Sequence, residues 1–166
     1  MNRELAKDFI VSIIILVSQL LIFNHMNLFG FISPFIYVSL FVIYRTSYDK
    51  TYLILYGFII GLIIDLSMQT YGSHTLASIS VCYFRDRIEK YSFGVSSVIP
   101  LAMIRGTQLI NRITFFSVII FLHSLIYFSL IFFKIELTIT IFLYTLINSI
   151  VNFIIIWVVS KLIFEK

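Results

Sequence analysis

The chain has 166 residues, of which 60% are hydrophobic and only 12% charged, and its mean hydropathy is +1.04. Soluble domains carry about 25% charged residues, so this composition excludes a water-soluble domain and points to an integral membrane protein. The formal charge of +4 is scattered between apolar runs rather than gathered in a stripe, which argues against nucleic-acid binding.

The first apolar run, residues 10–23, follows Arg3 and Lys7 and has the length of a signal-peptide core. It lacks an A-x-A-like cleavage site and more spans follow it, so it reads as a retained first helix over residues 8–27. Ser12 and Gln19 lie on one side of that helix, and Asn24, His25, Asn27 and Gly30 form a polar turn. A second span is expected over residues 28–44, with Pro34 near its start, where a helix tolerates proline best. After a short charged loop comes the third span, residues 51–69. There Gly57, Gly61, Asp65 and Gln69 recur every four residues and share one helical face. The glycines permit close helix approach, and the acid needs a partner within that contact. A carboxylate at the centre of a membrane helix costs roughly 2.5–3.5 kcal/mol, so the stripe must face protein or a wet cavity.

Thr70-Tyr71-Gly72 is a tight turn into a short fourth span, residues 72–84, rich in serine. Residues 85–112 read as a cytoplasmic interfacial loop whose basic residues are Arg85, Arg87, Lys90, Arg105 and Arg112. Spans five and six follow over residues 113–133 and 137–160. On the last, Thr145, Asn148, Ser149 and Asn152 form a second buried polar stripe. With the N-terminus inside, eleven of the twelve Lys and Arg residues fall on the inner side and only Lys134 outside. That bias supports six transmembrane helices in one all-α polytopic domain over residues 1–166, with both termini cytoplasmic.

Asp65 has two readings. Its carboxyl is either satisfied by Ser, His or Asn side chains from spans four or six, or shapes an outward cavity or partner contact. Gly57 and Gly61 read as an internal packing face. His25, His74 and His123 lack the Cys or carboxylate that would complete a metal set at helical spacing, so no metal or cofactor is expected. Cys82, the single cysteine, reads as a buried, inert thiol. No nucleophile–base pair, phosphate-binding glycine loop or carboxylate pair appears, and catalysis is not expected.

Three stretches carry a family resemblance. They are Asn24-His25-Met26-Asn27-Leu28-Phe29-Gly30-Phe31-Ile32-Ser33-Pro34-Phe35-Ile36-Tyr37, then Gly57 to Leu66, then Gly72-Ser73-His74-Thr75-Leu76-Ala77. A Pro-x-x-Tyr (Pro34, Tyr37), a glycine pair before an acid (Gly57, Gly61, Asp65) and a Gly-x-His-x-x-Ala (Gly72, His74) resemble the rod shape-determining MreD family in its Bacteroidetes-type form. The resemblance implies a fold similar to the S-component of energy-coupling-factor transporters. It implies an inner-membrane scaffold or regulator of cell elongation with no chemistry of its own. An MreC-like bitopic protein would be its partner, acting with MreB, RodA and a penicillin-binding transpeptidase in side-wall peptidoglycan synthesis. The alternative is a substrate-binding, S-component-like subunit of a vitamin importer.

Overall fold

The computed structural model describes residues 3–44, 49–94 and 107–164. The described chain is helical: α1 (Arg3–Leu21), α2 (Ser39–Ile43), α3 (Lys50–Met68), α4 (Ser73–Phe93), α5 (Leu109–Phe132) and α6 (Thr138–Phe164). Short 3-10 turns lie at Phe23–His25, Ile36–Val38 and Ile135–Leu137. Among the described residues, four stretches are long and apolar enough to cross a membrane: Ala6–His25, Lys50–Met68, Leu109–Phe132 and Ile135–Ile163. They fit a multi-pass membrane protein. Helices α3 to α6 pack each against the next, and α1 lies against the Ile36–Val38 turn and α3.

The second expected span is not one helix. Residues 28–35 are irregular, with Leu28 and Ile32 paired through backbone hydrogen bonds of 2.9 and 3.0 Å around a turn in which Phe29 and Gly30 take positive φ. Helix begins only after Pro34, because proline disfavours helical backbone in the residue before it and lacks a donor itself. Even so, Phe35, Tyr37, Val38, Phe41 and Val42 are among the most deeply buried residues.

A buried segment outside regular structure must find partners for each N–H and C=O. Helix α6 supplies them. Asn148 Oδ1 accepts from Ser33 N (2.9 Å) while its Nδ2 donates to Phe31 O (3.1 Å). One turn on, Asn152 Oδ1 accepts from Phe35 N and its Nδ2 donates to Ser33 O (3.1 Å). The two amides pair with alternate residues 31, 33 and 35, as a neighbouring strand would. From α1, Gln19 donates to Pro34 O (3.1 Å) and accepts from Tyr37 N (3.2 Å). The polar stripe on α6 therefore serves the segment at 31–35 rather than Asp65.

Helix α4 also departs from expectation. It runs 21 residues to Phe93, so Arg85, Arg87 and Lys90 are helical rather than part of a loop, and Arg112 lies in the first turn of α5. Arg105 falls outside the described residues. Arg85 is buried because the end of α2 needs it: Nε donates to Phe41 O (2.8 Å) and Nη2 to Tyr44 O (2.6 Å). These are carbonyls that a terminating helix leaves without partners. Glu89, one turn further, pairs with Nη1 at 3.0 Å and is buried with it. At the same end Asp49 caps α3 by accepting from Thr51 N, and that bond holds its carboxyl below the ordinary carboxylate range.

Removing the Asn152 amide strands Phe35 N and Ser33 O, each worth about 1–3 kcal/mol when buried without a partner. Asn152→Leu is expected to unfold at a clearly lower temperature in detergent, whereas Ile154→Leu, at an exposed α6 position, is expected to leave it unchanged. Cys82 is the single cysteine and is fully buried, so reaction with a thiol-reactive dye on heating reads the transition directly.

Candidate functional site

The family-like residues converge at the end of the bundle where α3 turns into α4. Gly72 precedes α4 with φ +92°, a left-handed conformation, and it has no side chain to cap the helix. The cap comes instead from the preceding helix. Asp65 Oδ1 accepts from His74 N (3.0 Å) and from the Thr70 hydroxyl; Oδ2 accepts from Thr75 N (2.8 Å) and from the Thr75 hydroxyl. His74 and Thr75 are the second and third residues of α4, whose N–H groups a cap ordinarily satisfies. The carboxylate also sits at the positive end of the α4 dipole. Four donors offset the burial of this charge. Its partners are thus threonine hydroxyls and backbone amides, not side chains of serine, histidine or asparagine.

The glycine stripe brings the cap into reach. A Cβ on Gly61 would stand 2.5 Å from Thr75 Cα and 2.9 Å from both Thr75 N and His74 O, all unyielding backbone. A Cβ on Gly57 would meet Cys82 Sγ at 2.6 Å. Both glycines face α4, as an internal packing surface.

Behind the cap lies a buried cluster of three polar rings. Tyr37 Oη is 2.8 Å from His74 Nδ1 and 2.6 Å from His123 Nε2, and all three residues are essentially without solvent exposure. A phenol has one proton to give. With both imidazoles neutral and the phenol proton directed at one of them, that ring accepts from Tyr37 and the other donates to it. The outer nitrogens, His74 Nε2 and His123 Nδ1, must then differ, one carrying a proton and one bare. Neither has a partner among the described residues. Phe35 stands edge-on to both histidines at 5.3 and 5.5 Å, and Tyr127 lies 4.4 Å from His74. Because Asn152 and Gln19 fix the backbone at Phe35 and Tyr37, α1, α4, α5 and α6 all bear on this cluster.

Pro34, Tyr37, Gly57, Gly61, Asp65, Gly72, His74, Asn148 and Asn152 thus form one connected lattice. Asp65 also borders a groove of about 340 Å³ with Leu62, Leu66, Gln69, Tyr71 and Gly72. His25 is exposed and apart from the cluster. Among the described residues no set of three or more His, Cys, Asp or Glu is placed to hold a metal. Arg87, Lys90 and Arg112 lie at the opposite end. Arg112 stands over Trp157 at 5.6 Å, and Arg87 lies over Tyr83 and Phe84 at 5.8 and 5.6 Å. Thr70, Thr75 and His123 were not evident as partners in the sequence, and neither was Arg85 as a cap. The signal for Arg85 is its i, i+4 pairing with Glu89 inside an uninterrupted helical pattern.

Asp65→Asn keeps the shape but turns one acceptor into a donor facing donors. It is expected to destabilise by roughly 1–3 kcal/mol, seen as a lower unfolding temperature. Gly61→Ala is expected to cost more than Gly57→Ala, because backbone blocks the first methyl and a movable thiol the second. Replacing Cys82 by Ala should relieve Gly57→Ala and leave Gly61→Ala unrelieved, with monodispersity after heating as the measure. No protein-family profile, curated protein or solved structure matches this chain.

Proposed function

We propose that the protein is an MreD-like scaffold or regulator of the cell-elongation machinery in a bacterial inner membrane. On this proposal it pairs with an MreC-like bitopic protein to support rod shape and side-wall peptidoglycan synthesis, alongside MreB, RodA and a penicillin-binding transpeptidase. One observation carries it: the residues of the family resemblance are engaged with one another. Asp65 caps α4, Gly61 seats α4 on α3, and Tyr37 joins two histidines. Such residues shape a rigid body that others assemble on.

A further crossing by the segment before α3 fits most of the required length. Residues 28–32 close a turn. From Ile32, four extended residues at about 3.3 Å each and the following eight in helical turns reach roughly 25 Å, most of a hydrocarbon core of about 30 Å. Helix α4, with 21 residues, has the length for another crossing. Its buried polar side chains are shielded by α3 and α5. The excess of basic residues at the Arg85 end favours that end as cytoplasmic.

A vitamin importer subunit is less well supported. Its site would need polar side chains open to the outside, whereas Asn148 and Asn152 are committed to backbone groups. Trp157 stacks on Phe153 near Arg112, at the end opposite His74.

Affinity capture of the tagged protein from its own host should bring down a single-span protein with an extracytoplasmic β-rich domain. Depletion should round the cells. Asp65→Leu and Gly61→Leu should reduce both capture and rod shape. A bound vitamin in place of that partner, with shape unaffected, would support the importer instead.

A further inference from the structure

A second feature of the Asp65 end is independent of this cluster. Where α5 gives way to α6, a cleft of about 530 Å³ is lined by Leu125, Ser129 and Phe133 on one side and Ile135, Ile141 and Phe142 on the other, with Lys134 and Thr138 completing it. Its two hydroxyls are already engaged within their own turns: Ser129 donates to Leu125 O and Thr138 to Ile135 O. The ammonium of Lys134 is different. It is exposed and has no ion pair among the described residues, and Glu136 is not part of the lining. Around it stand Phe133 and Ile135, 81% and 93% exposed. Phe133 holds φ +31°, a backbone state that bulky residues rarely adopt.

One uncommitted cation at the mouth of an apolar cleft fits an anionic amphiphile. We propose that the cleft is a binding site for an anionic phospholipid, with an acyl chain between α5 and α6 and the phosphate on Lys134. From Phe133 to Leu125 the cleft follows α5 for eight residues, about 12 Å. That distance lies within one leaflet of a hydrocarbon core about 30 Å thick. A partner helix, about 10 Å across with its side chains, is too broad for this volume. The lining also lacks the stripe of small residues through which membrane helices approach.

Brominated lipids provide the test. Trp157 is the only tryptophan, so combining Trp157→Phe with Phe133→Trp places a single fluorophore at the cleft mouth. The protein is reconstituted in vesicles mixing phosphatidylglycerol and phosphatidylcholine, with one or the other brominated on its acyl chains. Phosphatidylglycerol is expected to be favoured about fivefold at this site, the worth of one basic residue near an anionic headgroup. Lys134→Gln should bring the two lipids to parity, Lys161→Gln at the far end should leave the preference intact, and Ser129→Phe should reduce quenching by both. Protection of the Cys82 thiol verifies that each variant is folded. Equal quenching by the two lipids in the parent overturns the proposal. So does a preference that survives Lys134→Gln, or an absence of quenching by either lipid.

Discussion

The structure depends on one requirement: backbone groups that leave regular structure in an apolar interior must still be paired. Residues 32–35 are largely buried, irregular and interrupted by a proline. Each exposed amide or carbonyl there would cost several kcal/mol in hydrocarbon. Asn148, Asn152 and Gln19 remove that cost by presenting side-chain amides at the spacing of a strand edge. An amide side chain suits the task because it donates and accepts at once. A serine or a carboxylate at the same place would satisfy only part of the pattern. The hydroxyls of Thr145 and Ser149, on the same stripe as the asparagines, have no partners among the described residues, so on α6 the role falls to the two asparagines.

Helix α4 connects the two ends of the molecule. At one end it receives the Asp65 carboxylate and offers His74 to Tyr37. Eleven residues later, about 16 Å along the axis, Arg85 grips the carbonyls that end α2. The stretch from Tyr37 to Tyr44 is thereby fastened to one rigid rod at both extremities. This accounts for a helix of low overall hydropathy in the centre of an apolar protein. Ser73, His74, Ser78, Arg85 and Glu89 face neighbours, and its exposed positions include Leu76, Tyr83 and Tyr91.

Much of the architecture was legible in the residues. Long apolar runs marked α1, α3, α5 and α6, and the four-residue recurrence of Gly57, Gly61 and Asp65 correctly placed them on a buried face. The partners of Asp65 were not legible, because two of its four bonds go to backbone amides that any residue would have offered. Residues 28–44 failed as a helix because hydropathy responds to burial, and a protected irregular segment is as apolar as a helix. Pro34 was the available clue, but proline is compatible with a helix start as well as with none. Arg85 is the reverse case: a charge after an apolar run reads as a helix end, whereas the structure buries it beside Glu89. Asn148 and Asn152 announced themselves as a buried stripe, yet nothing local specified that their target lay more than a hundred residues earlier.

That separation bears on how the protein is assembled. The irregular segment emerges from synthesis long before the asparagines that complete it, with sequence separations of 115 to 119 residues. Until α6 arrives, residues 31–35 have no equivalent for those amide contacts and must remain hydrated or borrow other partners at the membrane. Insertion cannot therefore proceed as a simple series of self-sufficient hairpins. The closing step is the docking of α6, and it turns an early, provisional piece of chain into the centre of the finished bundle.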